Sequence, residues 1–255
     1  MIPAAFISHG APDRVLKPSP ARDFVSGFAN WVPGVSGVVV VSAHWQTPQL
    51  SLSKPGRLPT IHDFAGFPQE LYRQNYPAHQ TQALTDALTA ALDAAGEPYS
   101  LVARGLDHGA WSVLSLAYPK ADLPVVALSL PVYRDLQAYL QLGRALRSLR
   151  HHNILVLGSG GAIHNLGALN YNGAVPDWAL QFKQWLHAQV SGNNYNAVAN
   201  LYQTAPHGAM AHPTAEHYLP LLVAMGAAEG EPSRLIHDSD EYGSLNNSSW
   251  LFGAF

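Results

Sequence analysis

The 255-residue chain has no cysteine and little charge, with 14 Lys and Arg against 17 Asp and Glu, together 12% of the sequence. Without cysteine there is no disulfide, no thiolate nucleophile, no iron–sulfur cluster and no thiolate-held zinc. Any metal must therefore be bound by His, Asp or Glu. The charged fraction is half the roughly 25% of an ordinary globular domain. Together with a hydrophobic fraction of 47%, it predicts a compact chain with a large core and excludes disorder. A formal charge of −3 with scattered basic residues leaves no footprint for a phosphate backbone, which argues against nucleic acid as a partner. No apolar run approaches the ~20 residues of a membrane span, and Met1 to Gly10 lacks the basic start of a signal peptide. These absences predict a soluble, cytoplasmic protein that needs no membrane. Nothing in them sets the oligomeric state. What the chain does have is histidine, 13 in all, nearly as many as Lys and Arg combined.

Short runs rich in branched residues read as buried strands at Ala4–Ile7, Val38–Val41, Pro124–Leu130 and Ile154–Leu157. Weaker signals lie at Leu50–Ser53, Tyr99–Val102 and Arg234–His237. Helical signals fall between them. Ser19-Pro20 suits an N-cap and first helical position for a helix running toward Trp31, and Thr81 to Ala95 stops at Gly96, which suits a left-handed C-terminal cap. Asp135 to Arg150, Asp177 to Val190 and Pro213 to Ala228 complete the set. Strands alternating with helices predict an α/β fold around a mostly parallel or mixed sheet. There is no internal repeat, low-complexity tract or Ser/Gly linker, so residues 1–255 read as one domain.

Three histidines share one kind of position. His9 follows Ala4–Ile7, His44 follows Val38–Val41, and His164 follows Ile154–Leu157 through a turn over Gly158-Ser159-Gly160-Gly161. In open α/β sheets ligands bind outside the carboxyl ends of the strands. Taken singly, a histidine after a strand is most often a loop residue bonded to a carbonyl, but three arriving there from distant segments mark a site. His108, between Asp107 and Gly109, adds a fourth candidate that Asp107 could orient. Its bland alternative is a polar loop leading into a helix from Trp111. The fifth is His217, expected about one turn inside a helix opened by Pro213, where spacing alone does not separate a ligand from a satisfied core residue. His151 and His152 close an Arg-rich helix end and suit its dipole. His187, His207 and His237 have no supporting context, and His62 and His79 stand between. The Gly158–Gly161 run suggests a phosphate turn but lacks the third glycine of the dinucleotide fingerprint, and neither G-x-S-x-G nor a P-loop occurs.

Six segments stand out together: Ser8-His9-Gly10, Val40 through Trp45, His62-Asp63-Phe64-Ala65-Gly66-Phe67-Pro68, Leu106 through Trp111, Gly158-Ser159-Gly160 through His164-Asn165-Leu166, and His212-Pro213-Thr214 through Glu216-His217. As a set, they resemble the class III extradiol ring-cleavage dioxygenases of the LigB group, in the DOPA 4,5-dioxygenase-like branch. The resemblance runs from residue 8 to the C-terminus. It implies that His9, His44 and His217 ligate one Fe(II) or Zn(II) at the C-terminal ends of the strands. His164 would lie at the metal edge, as ligand, base or each in turn. His108 and His164 become the candidates for proton transfer, and the partners implied are O2 and a small aromatic diol. Ala11, Ala215 and His79 depart from the family pattern; none is a proposed ligand, and His79 bears on the pocket rim.

The implied chemistry suits the residues. Neutral imidazoles leave the full charge on a divalent metal, which favours a bound catecholate. A nearby histidine accepting and returning a proton is typically worth about 10²–10⁴-fold. The rival reading is a zinc hydrolase on the same histidines, with Glu216 or Asp107 as the carboxylate base. A third is a binding protein without turnover.

Overall fold

The computed structural model describes residues 1–132, 135–171 and 173–254. An eight-stranded mixed sheet runs through the molecule, formed by β1 (Ala4–Ser8), β2 (Gly37–Thr47), β3 (Ser51–Ser53), β4 (Ser100–Val102), β5 (Val125–Pro131), β6 (Ile154–Gly160), β7 (Ser233–His237) and β8 (Ser249–Phe252). Their order is β4-β3-β5-β2-β6-β1-β8-β7. The central strands β5, β2, β6 and β1 are parallel, whereas β3 is antiparallel to β5 and β8 is antiparallel to β1. The α/β expectation with a mixed sheet holds.

The uniformly apolar runs follow from burial on both faces. Alternate residues Phe6, Val39, Val126 and Val156 join one core cluster with Leu88, Leu140, Phe182 and Leu222. Ile7, Val40, Ala127 and Leu157 join the other with Val25, Trp111 and Leu114. The first face is covered by α2 (Gln82–Ala95), α4 (Gln137–Leu146), α5 (Asp177–Ser191) and α6 (Leu219–Gly226), and the second by α1 (Pro20–Ser26) and α3 (His108–Ala117). The expected caps are in place. Ser19 Oγ accepts from the Arg22 N–H, Thr81 Oγ1 from the Leu84 N–H, and Gly96 takes φ 70°. Among the described residues no helix is long and apolar enough to cross a membrane.

Four sequence expectations are corrected. His44 lies within β2, which continues to Thr47. Val41 faces Leu128 but Gln46 faces Leu130, so the intervening residues bulge out of the ladder at the level of the site. The Gly158–Gly161 run is strand through Gly160, not a phosphate turn. A side chain at Gly158 would strike the Pro220 carbonyl oxygen, and one at Gly160 that of His217, so the two glycines let the first turn of α6 and the chain before it lie directly on β6. The helix expected from Pro213 starts only at Leu219, because the His217 carbonyl accepts from the Gly161 N–H at 2.9 Å instead of closing a helical turn. Strand β8 was not expected at all.

Candidate metal centre

Each candidate histidine is delivered by a different element to the carboxyl ends of the parallel strands. His9 leaves β1 and its N–H donates to the Gly160 carbonyl at 2.9 Å. Gly10 follows at φ 64°, with the Arg14 guanidinium lying where a side chain would go. His44 rises from the bulge of β2, and His217 from the turn pinned to β6. The Nε2 atoms of His9 and His44 are 3.1 Å apart, and those of His44 and His217 are 3.3 Å apart. These three residues form one group whose nitrogens all lie within 4.8 Å of one another.

The outer nitrogens decide which way the inner lone pairs point. Ser159 Oγ donates to the Gly109 carbonyl at 2.5 Å, so its contact with His9 Nδ1 at 3.1 Å is one in which the histidine donates. His217 Nδ1 donates to the Glu216 carboxylate at 3.1 Å. Both rings therefore carry their proton on Nδ1 and turn an Nε2 lone pair inward. Burial lowers the His9 pKa well below its ordinary value, with the neighbouring imidazoles adding to the effect, and lowers that of His44 to about 2. The lone pairs of His9 and His217 both face His44 Nε2, so the three nitrogens form a cluster able to hold a cation. The donor set fits a divalent metal held by nitrogen ligands.

The other two candidates flank this group. His108 is the first residue of α3, and Asp63 holds it twice. The backbone N–H donates to Oδ1 at 2.8 Å and ring Nδ1 to Oδ2 at 3.0 Å. Burial works against the charge of Asp63, but the bonds from His108 outweigh it and the carboxyl falls to about 2. Asp107, expected to orient the imidazole, instead caps α3 through the Ala110 N–H and accepts from Ser42 Oγ at 2.5 Å. His164 lies flat on His217, ring centroids 3.4 Å apart and planes within 7°. It groups with Glu216 and His217 rather than with His9 and His44. Burial lowers its pKa to about 3.

His62 stands apart. Its Nε2 accompanies the Gln74 carbonyl at 3.0 Å and its ring packs beside Phe64, Tyr72 and Trp111. His187 contacts Ser248 Oγ and His207 contacts Gln181, both away from the centre. Asp63 and Ser159 were missed as functional positions. Both sit inside the quoted motifs, but only the fold reveals which imidazole each one holds.

All five histidines, with Asp13, Lys17 and apolar residues such as Phe67, Leu166 and Leu169, line one cavity of about 680 Å³. Glu216 and Asp107, the bases a hydrolase would need, are not among its described lining residues.

Residues 5–253 match the family model for the catalytic LigB subunit of aromatic ring-opening dioxygenase. The chain belongs to the LigB family. Proteins named 4,5-DOPA dioxygenase extradiol from Beta vulgaris and Escherichia coli K12 are 38% and 35% identical to this LigB chain. The alignments cover 97% and 99% of it, and 95% of each relative. The crystal structure of an uncharacterized Escherichia coli K12 protein superposes with a TM-score of 0.85 at 32% identity, covering 99% of this chain and all of that one. The LigB assignment makes the protein a ring-opening dioxygenase and leaves the hydrolase reading without support.

Proposed function

We propose that the protein opens the ring of a catechol-type aromatic, DOPA-like or related, by extradiol cleavage with O2. The observation that carries this is the convergence of the His9, His44 and His217 ring nitrogens beside a carboxylate-held His108 in one cavity. His9, His44 and His217 hold the metal. Iron(II) bound there supplies a Lewis acid for the diol oxygens and the redox partner for O2, whereas zinc fits the same nitrogens but has no redox chemistry.

The chain's own residues supply the proton handling. With its Nδ1 proton committed to Asp63, His108 presents an Nε2 lone pair that accepts a phenolic proton, and ionised Asp63 stabilises the imidazolium that results. His164, stacked on His217 and neutral, takes the second place at the metal edge, as acid, base or substrate contact. Both oxygen atoms enter the ring-opened product, so no external reductant is required. The names of the curated relatives support a DOPA-like substrate.

The test is anaerobic loading with iron(II), followed by oxygen uptake and appearance of a yellow product with a panel of catechols. Uptake is expected with the iron-loaded protein and not with the zinc-loaded one. Absence of uptake with every catechol would overturn the proposal.

A further inference from the structure

The cavity wall carries charge at only one place. Among the described lining residues, Asp13 and Lys17 alone are charged, and they are paired with each other one helical turn apart. They come four and eight residues after His9, on the short helix Pro12–Val15 and just beyond it, and line the same cavity as the histidine cluster. The Asp13 side chain is only 7% exposed, in a protein that buries few charges, whereas that of Lys17 is 60% exposed. Apart from the histidines, the other described lining residues are apolar or neutral, among them Phe67, Leu166 and Leu169.

A carboxylate held in a cavity wall by a single ammonium keeps unused capacity. Asp13 has a second oxygen, and Lys17 has two further N–H groups after bonding to Asp13. An acid and a base side by side complement a group that itself carries one of each. Resting on the ring-opening reading above, we infer that Asp13 and Lys17 form the subsite for the substrate's side chain, and that this side chain is the zwitterionic head of an α-amino acid. The ammonium meets Asp13, the carboxylate meets Lys17, and the aromatic ring spans from this pair to the histidines. The pair discriminates among catechols and takes no part in the ring chemistry.

The experiment measures kcat/KM on four catechols that differ only in the tail: 3,4-dihydroxyphenylalanine, dopamine with the ammonium alone, 3,4-dihydroxyphenylpropionate with the carboxylate alone, and 4-methylcatechol with neither. Loss of one charge-assisted hydrogen bond corresponds to about tenfold. Lys17→Met is expected to lower the ratio of kcat/KM for each carboxylate-bearing catechol over 4-methylcatechol by about that factor, and Lys17→Arg to restore part of it. Asp13→Asn is expected to do the same for the two ammonium-bearing catechols. Unchanged ratios, or an equal loss on all four, overturn the subsite.

A calorimetric arm separates this from the ring-opening reading. Iron-loaded protein, with and without Lys17→Met, is titrated with tyrosine, tyramine and p-cresol. If no catechol is turned over, the dioxygenase reading falls and this arm alone decides the subsite. A preference for tyrosine over p-cresol that Lys17→Met abolishes supports it; equal binding, or a preference that the variant keeps, overturns it.

Discussion

Asp63 and His108 are joined through both carboxylate oxygens, one to the backbone N–H at 2.8 Å and one to ring Nδ1 at 3.0 Å. The first bond satisfies an otherwise unpaired N–H in the opening turn of α3 and places a negative charge at the helix N-terminus. The second fixes the tautomer of a proposed proton acceptor. One carboxylate thus anchors the ring and sets where its proton sits.

It follows that Asp63→Asn should damage turnover more than it damages the fold. The amide can donate to Nδ1, which moves the ring proton to Nε2 and removes the acceptor. A fall in kcat of about 10²-fold or more is expected, at unchanged iron content. Parallel measurement of iron by elemental analysis and of initial rate checks this. Equal kcat in the variant would contradict the role given to His108.

The proposed metal ligands depend on their outer bonds in a similar way. Glu216 Oε1 receives His217 Nδ1, and that bond, acting against burial, holds the Glu216 carboxyl at about 2, so it stays ionised under working conditions. Loss of such an orienting partner typically weakens metal binding about 10–100-fold. Glu216→Gln and Ser159→Ala are each expected to fall in that range in competition with a chelator. His9→Ala and His217→Ala should abolish stoichiometric binding. His164→Ala, whose ring lies outside the His9–His44–His217 group, should retain the metal while losing turnover.

The strands and most helices were legible because local chemistry declares them. Ala4–Ile7 and Ile154–Leu157 are apolar on both faces, and Thr81 and Gly96 bracket a helix with their own side-chain and backbone preferences. β8 was not legible, since Ser249–Phe252 is short and is held between β7 and β1, which lies at the other end of the chain. The histidine cluster could be read from strand ends, aided by the resemblance to a family. Its orienting groups could not. Asp63 is 45 residues from His108 and Ser159 is 150 from His9, and nothing local favours Asp63 over the adjacent but wrong Asp107. The helix proposed from Pro213 failed for the same reason, because a tertiary bond to Gly161 claims a carbonyl that local propensity assigns to the helix.

Buried neutral histidines make the metal-free protein acid-sensitive. Burial lowers the pKa of His9 far below normal, that of His44 to about 2, His164 to about 3 and His212 to about 4. In the unfolded chain each titrates near 6.5. Below that pH the unfolded state binds protons that the folded state refuses, so stability falls as pH falls; above it these groups contribute no pH dependence. The limiting slope is about 1.4 kcal/mol per pH unit for each such group. Urea unfolding of chelator-treated protein at pH 7, 6 and 5 should give a midpoint that drops at each step. A flat profile would show that these rings protonate in the folded state.

At the opposite end of the sheet, Arg150 is fully buried and bonds both oxygens of Glu231 at 2.9 and 2.8 Å, as well as the carbonyls of Ile2 and Ala227. It thereby ties the start of β1 to the end of α6, two elements that lead into His9 and follow His217. Glu231→Gln would leave the guanidinium buried with no opposing charge among these partners, and Arg150→Ala would strip two carbonyls of this donor and leave Glu231 with Arg147 alone. Breaking one side of a buried pair costs about 3–5 kcal/mol. Lysine cannot reproduce the planar fork, so Arg150→Lys should recover only part of the loss. The Arg150 bond lowers the Glu231 pKa, against a smaller effect of burial. The pair's contribution is therefore complete above the unfolded carboxyl value near 4.5 and is lost as pH falls through the lower folded value. Chemical unfolding at neutral pH should register the full cost for each variant, and the difference between wild type and Glu231→Gln should shrink as pH falls below about 4.5. A constant difference across that window would mean that Glu231 acts through packing rather than charge.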